Sequence, residues 1–161
     1  MSPGLHKKLQ ESIFEIFSNA VLHSRTRLGI FSCGQYFPTK SCLHFSIVDL
    51  GIGIRQKIID ELGFNFSAEQ AIKWATEDSH TTKTGAIPGG LGLKLLREFI
   101  VMNHGSIQIV SDCGYWQLAD GLVSTQKFDW AFPGTVVNIQ INTADTHSYR
   151  LSSEVTADSI F

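Results

Sequence analysis

Three cysteines are present in 161 residues. Cys33, Cys42 and Cys113 are odd in number and widely spaced, with no CxxC or Cys/His pattern that a zinc site would need. Reduced thiols in a cytosolic chain are the simple reading. No apolar run approaches the ~20 residues that cross a bilayer. The opening "MSPGLHKKLQES" has a few basic residues but no apolar segment behind them, so nothing argues for secretion and the expected location is cytoplasmic. Thirteen Lys and Arg against fifteen Asp and Glu give a formal charge of −2 and a pI near 6.3. That balance supplies no basic field for nucleic acid. Internal repeats and low-complexity segments are also lacking. What remains is a chain with 43% hydrophobic residues, long enough for one well-packed domain and too short for two comfortable ones.

Periodicity orders that domain. From Leu5 to Ser24 apolar residues recur every three or four positions, which predicts a helix with Ile13, Phe14, Ile16, Phe17, Ala20 and Val21 on one face. "RLGIFSCGQYF" and "SCLHFSIVDL" are rich in β-branched and aromatic residues, and "FPTK" between them predicts a hairpin turn. "RQKIIDELG" and "SAEQAIKWATED" read as two short helices, the second with Ser67 as N-cap and Glu69 in its first turn. "SHTTKTGAIPGG" is a polar loop broken by Pro88. "LGLKLLREFIVMNHG" is a helix stopped at Asn103, His104 and Gly105. Three strand-like runs finish the fold: "SIQIVSD", a hairpin "GYWQLADGLVSTQKFDWAF" turning near Asp120 and Gly121, and "GTVVNIQIN". The residues from Thr143 to the end are polar and aperiodic, which predicts a loosely held tail at 143–161. Helices grouped with hairpin strands predict a two-layer α/β sandwich with a mixed, largely antiparallel sheet and helices on one face.

Three features carry chemistry. Glu15, Asn19 and His23, spaced by four, form a stripe along one border of the first helix's apolar arc. Such a border faces either solvent or a cleft beside the helix, and Asn in a helix interior is mildly unfavourable unless used. Asp49 ends an apolar strand, where an ionised carboxylate is costly without hydrogen-bond donors. A ligand amine would serve, and Gly51 and Gly53 would let a flat ring lie against the backbone; an ordinary Asp-x-Gly turn is the alternative. Finally, "GGLGLKLL" places Gly89, Gly90 and Gly92 around Leu91 at the start of a helix, where free N–H groups and the helix dipole favour an anion such as phosphate.

In this order, Glu-x-x-x-Asn-Ala-x-x-His, Asp-x-Gly-x-Gly, a loop into Gly-Leu-Gly-Leu, and "GT" before the last strand, the motifs resemble the GHKL superfamily. That group includes gyrase-type topoisomerases, large heat-shock chaperones, sensor histidine kinases and mismatch-repair ATPases. The resemblance runs from about Leu9 to Asn142. It implies the Bergerat fold, with ATP between helices and sheet beneath a lid at 79–90. By resemblance Asn19 would ligand Mg²⁺ and Asp49 would accept a hydrogen bond from the adenine amino group. Gly51 and Gly53 would line the base, Gly90, Leu91 and Gly92 would meet the phosphates, and Thr135 would join Asp49 in holding a water on the base. Glu15 matches the residue that orients or deprotonates the attacking water. His23 matches a recurrent residue of the kinase-like branches.

The same resemblance limits the reading. Only about ten residues precede the first motif, so autophosphorylation in cis on a dimerisation helix pair is not expected. A second domain whose lysine reaches the γ-phosphate is not expected within these 161 residues either. Lys83, the lid's cation, either reaches the phosphates or lies in solvent; Arg55 and Lys57 are open in the same way. Trp116, Phe128 and Trp130 pack a core or meet a partner. The expectation is an ATP/Mg²⁺-binding module that acts as a regulatory ATPase or protein serine kinase, or else as a non-hydrolysing ATP-sensing switch. Its partner would be a regulatory protein, further domains of a longer chain, or a second copy in a homodimer.

Overall fold

The computed structural model describes residues 2–77 and 91–151. The expected lid and residues 152–161 lie outside the described residues. Helix α1 spans Pro3–His23, opened by Pro3 and by the Ser2 hydroxyl, which accepts the Leu5 N–H at 3.2 Å, so one of the orphan donors of the first turn is satisfied. Strands β1 (Ile30–Phe37) and β2 (Cys42–Asp49) form the predicted hairpin, paired from Ile30↔Asp49 to Phe37↔Cys42. Helices α2 (Gly53–Leu62) and α3 (Ala68–Thr76) follow. Gly63 ends α2 at φ 72°, the left-handed closure that glycine allows. The Gln70 side chain accepts the Ser67 N–H at 3.1 Å where α3 begins. Helix α4 (Leu91–Met102) stops where expected, with the Gly105 N–H bonded to the Ile100 carbonyl at 3.0 Å.

The three strand-like runs at the end of the sequence are two long strands, β3 (Ser106–Ala119) and β4 (Leu122–Asn142), joined by Asp120 and Gly121, both at positive φ. The apparent breaks at Asp112–Gly114 and Pro133–Gly134 are bulges. Ser111 pairs with Thr135 and Asp112 with Phe132, so Pro133 and Gly134 are extra residues in β4. Proline without an N–H is tolerated at such a point, and the bulge bends the ribbon without ending it. The sheet order is β1-β2-β4-β3, and all three pairings are antiparallel, as the largely antiparallel part of the expectation has it and without a parallel pair.

Helices pack against one face of the sheet, because buried residues alternate along β3 at Ile107, Ile109 and Ser111. Beyond the bulge Trp116 and Leu118 continue the core beside Ile72, Leu96 and Phe99. Gly114 is a close approach: a Cβ there would meet the Ala68 backbone at 2.6 Å. The aromatic hairpin divides by strand. Trp116 is buried under the Arg97 guanidinium, 5.9 Å from its ring centre, whereas Trp130 is exposed and stacks on half-buried Phe128 at 4.7 Å.

Two expectations change here. Phe14 and Val21 are 68% and 52% exposed. Helix α1 meets the core through Leu5, Leu9, Ser12, Ile13 and Ile16 instead. At ~100° per residue that face is rotated by roughly 70° from the predicted arc. Ser12 is tolerated inside because its hydroxyl donates to the Lys8 carbonyl at 2.9 Å. The rotation matters, because it turns the polar stripe inward.

The segment from Thr143 to Leu151, expected to be loose, is tied down. The Thr143 N–H bonds the Ser41 carbonyl, the Ser2 N–H bonds the Tyr149 carbonyl, and Tyr149 packs edge-on against Phe99. The Tyr149 hydroxyl donates its proton to the Asp145 carboxylate and lies 2.9 Å from the Met102 carbonyl. Asp145 also accepts from Asn103 and from the His147 N–H, and these donors hold its carboxyl well below the usual carboxylate range. Burial and that carboxylate together push the Tyr149 phenol up to about 12. Polar, aperiodic sequence concealed this anchor because its partners lie on α4, far away in the chain.

Candidate functional site

Three of the four motifs converge where α1 ends, β2 ends and β4 bulges. Asp49 closes β2 and is only 4% exposed. Its Oδ1 accepts the Gly51 N–H at 2.9 Å. Across the sheet it pairs with Thr135, and the Thr135 backbone N–H also faces the carboxylate. Burial raises the Asp49 carboxyl above its ordinary 3.8, and the two backbone donors offset part of that rise.

The α1 cap holds the loop after Asp49. Ser24, buried at the end of the helix, accepts the Ile52 N–H on its carbonyl at 2.8 Å. A Cβ on Gly51 would collide with that same carbonyl. Gly53, at φ 74°, has the Ser111 hydroxyl 2.9 Å from where a Cβ would stand. Both glycines are therefore required by protein packing, a reason that the sequence reading did not contain. Arg25 at the foot of α1 reinforces the junction through a 2.8 Å contact to Asp60 of α2.

The stripe Glu15, Asn19 and His23 is half-buried throughout. Each step of four residues advances the bearing by about 40°, so the stripe turns further inward toward the C-terminal end of α1. His23, next to the Ser24 cap, buries its Nε2. The helix packs along α4 and touches β2, so the stripe runs toward the end of the helix that holds the Asp49 loop.

Sequence reasoning missed Ser111. It is 1% exposed at the β3 bulge, and its hydroxyl meets Ile54 N–H at 2.9 Å, the Gly134 carbonyl at 2.9 Å and the Thr135 hydroxyl at 3.2 Å. A serine at an inward-facing strand position was the only signal available.

The phosphate motif is less fully described. Leu91 opens α4 and Gly92 lies in its first turn, whereas Lys83 and Gly90 lie outside the described residues. Arg55 is committed to structure, with its Nε donating to the Phe66 carbonyl at 2.8 Å and a guanidinium nitrogen 3.5 Å from Asp112. Lys57 lies 3.1 Å from Glu61. Among the described residues no group of three or more His, Cys, Asp and Glu side chains could hold a metal ion, and no helix is long and apolar enough to cross a membrane.

This arrangement, a buried carboxylate at a strand end clamped between a helix cap and a glycine bulge, defines a class. The chain belongs to the family of histidine kinase-, DNA gyrase B-, and HSP90-like ATPases, whose pattern matches residues 4–145. It is a GHKL-type ATPase domain, and its helices over a four-stranded sheet give it an α/β fold. Among solved structures it is similar to the ATPase region of Saccharomyces cerevisiae topoisomerase II, including the form bound to ICRF-187 (dexrazoxane). Identity is 15% over 88% of this chain and 38% of that one, with a TM-score of 0.44. The ATPase and transducer domains of DNA topoisomerase II from Balamuthia mandrillaris give 12% identity over 91% of this chain and 40% of that one, with a TM-score of 0.43. The chain thus spans well under half the length of these proteins. No curated protein matches it.

Proposed function

We propose that this domain binds ATP with Mg²⁺ and acts as a regulatory ATPase or protein serine kinase. The observation that carries the reading is Asp49: a carboxylate 4% exposed, with backbone donors on one side and, among the described residues, no ion pair. A buried anion of this kind matches a ligand that brings an amino group. In this reading Asp49 and Thr135 hold the adenine edge, and Gly51 and Gly53 shape the wall beside it. Asn19 would supply the protein oxygen for Mg²⁺, an ion that needs few protein ligands. When bound, Mg²⁺ neutralises phosphate charge. Leu91 and Gly92 offer backbone N–H groups at the start of α4 to the phosphates, together with Gly90 and Lys83. Glu15, lower on the same helix face as Asn19, orients or deprotonates a nucleophile, either water or a partner's serine hydroxyl. His23 belongs to the same wall. Cytoplasmic location and a regulatory protein partner, further domains or a second copy complete the proposal.

Calorimetry with ATP tests it. Asn19→Ala is expected to weaken binding by about tenfold in Mg²⁺ and to leave binding in EDTA unchanged. An equal loss in both conditions removes Asn19 from the metal. In parallel, turnover that disappears in Glu15→Ala establishes catalysis, whereas equal near-zero rates in both proteins, with and without candidate partners, leave an ATP-sensing switch that presents a binding surface when the lid orders.

A further inference from the structure

We propose that a second copy of this chain docks on the flank formed by strand β1 and the outer side of helix α1. Two four-stranded sheets then join edge to edge, with α1 meeting its counterpart in the layer above. The inference goes beyond the nucleotide reading, since this flank contains none of the residues assigned to the cleft.

The first observation is the edge itself. Strand β1 is outermost in the order β1-β2-β4-β3, and among the described residues no strand pairs with its far side. Natural sheets blunt such an edge with lysine, proline or a bulge, because its unpaired N–H and C=O groups recruit other strands. Here "IFSCGQYF", Ile30–Phe37, has neither charge nor proline, and its pairing with β2 runs from end to end without a register shift. Phe31 to Tyr36 are exposed throughout. An antiparallel copy related by a two-fold axis sets a strand against its own sequence, and an uncharged strand meets no like-charge repulsion at any register.

Helix α1 supplies the second observation. It lies over β2 and β1, whereas α4 lies over β3, so α1 is the helix nearest the open edge. Phe14, Phe17 and Val21 fall within about 60° of one another around its axis, on the border opposite Glu15, Asn19 and His23. Phe14 and Val21 are exposed and Phe17 is half-buried, which leaves an apolar stripe that the domain itself does not cover.

Together the two features specify the occupant. An added peptide strand would satisfy the edge and leave the helix stripe bare; an added helix would do the reverse. The partner must present a strand and a helix at the layer spacing of this chain, and a second copy of the same flank does so. A two-fold axis perpendicular to the sheet makes the two β1 strands antiparallel and keeps both helix layers on one side. With strands about 4.8 Å apart, an α1 axis standing between the β1–β2 midline and β2 lies about 10–14 Å from its counterpart. Packed helices lie about 8–10 Å apart, and phenylalanine side chains reaching in from both copies close the difference. The polar stripe of each α1 faces away from the axis, so both clefts stay accessible.

Sedimentation of the full chain tests the proposal. At about 10 μM and above, the wild-type protein is expected to run at twice 17.8 kDa. A short bismaleimide is expected to link the dimer through Cys33, which is exposed near the middle of β1. A central axis sets Cys33 opposite its copy or one diagonal step away, about 8 Å, and Cys33→Ser removes the link. Two substitutions address the two layers. Cys33→Lys brings two cations together along the edge, and Phe14→Glu sets two carboxylates in the apolar seam. Each is expected to raise the dissociation constant by at least ~tenfold. Both side chains are exposed in the single chain, so the fold and ATP affinity of each variant are expected to match wild type. Should Phe14→Glu fail to fold, Phe14→Ala must weaken the dimer in its place. A chain that stays at 17.8 kDa near ~100 μM overturns the proposal and leaves the edge to a strand of another protein. A dimer that withstands either substitution, or that Cys33 does not link, overturns it as well. Failure of the nucleotide reading looks different: ATP would not bind the wild-type protein, and these masses would be unchanged.

Discussion

Asp49→Asn weakens ATP binding by about 100-fold at neutral pH, measured by calorimetry, because an amide in this buried place leaves one side of the group as a pair of facing donors, and a buried donor left unsatisfied costs about 1–3 kcal/mol. Oδ1 is already engaged by the Gly51 N–H at 2.9 Å, and Thr135 N–H approaches the same group. An amide in that place must turn its NH₂ either toward these backbone donors or toward the ligand's amine. Either orientation leaves two donors facing each other in a site only 4% exposed. Binding within about threefold of wild type, a difference of less than one ordinary hydrogen bond, would remove Asp49 from the site.

The raised carboxyl adds a pH signature. Burial shifts the folded-state value above 3.8, so the folded protein holds this proton more tightly than the unfolded chain does. The stability contributed by protonation is fully present below 3.8 and is lost as pH rises through the raised value. ATP affinity moves the opposite way, since the ionised form accepts from the amine more strongly than the protonated one. Across that window, then, titration from acid toward neutral should weaken the empty protein while strengthening the complex, and Asp49→Asn should flatten both trends.

Gly134→Ala is expected to be strongly destabilising. Gly134 sits at φ 108°, and a Cβ there would fall on the Asp49 carbonyl oxygen and lie 2.7 Å from the Gly51 nitrogen. Neither backbone can move away without pulling β2 from β4. A loss of ~3–5 kcal/mol is expected from strain and overpacking together, which lowers Tm by roughly 10 °C in a domain of this size. Gly121 provides the control. It is also at positive φ, 74°, but its Cβ would meet only Val101 at 3.6 Å, so Gly121→Ala measures backbone strain alone, about 1–2 kcal/mol. Equal melting temperatures for the two variants would show that the collision at Gly134 is relieved.

Much of this was legible in the sequence because it is local. The four-residue spacing of Glu15, Asn19 and His23, the hairpin around "FPTK", and the stop at Asn103–Gly105 depend on neighbours within a few positions. The errors share a different cause. The phase of α1 was misjudged because Phe14 and Val21 look like core residues until Ser12 is seen inside, bonded to Lys8. Pro133–Gly134 reads as a chain break, and only the pairing of Thr135 with Ser111 turns it into a bulge. Tyr149 reads as part of a tail until Met102 and Asp145 receive its hydroxyl. Ser111 was invisible for the same reason. Its three partners are 23 to 57 residues away in the chain, and no periodicity encodes them.

The bond from Ile52 to the Ser24 carbonyl fixes one end of α1 to the loop that carries Asp49. Each residue of a helix adds about 1.5 Å of rise and 100° of turn. One residue inserted between Asn19 and Ser24 would leave the Asp49 loop where it is and swing Asn19 and Glu15 a quarter-turn away. The spacing from Asn19 to the cap is thus a ruler as well as a sequence, and lineages of this domain can exchange side chains along α1 far more freely than they can change its length there.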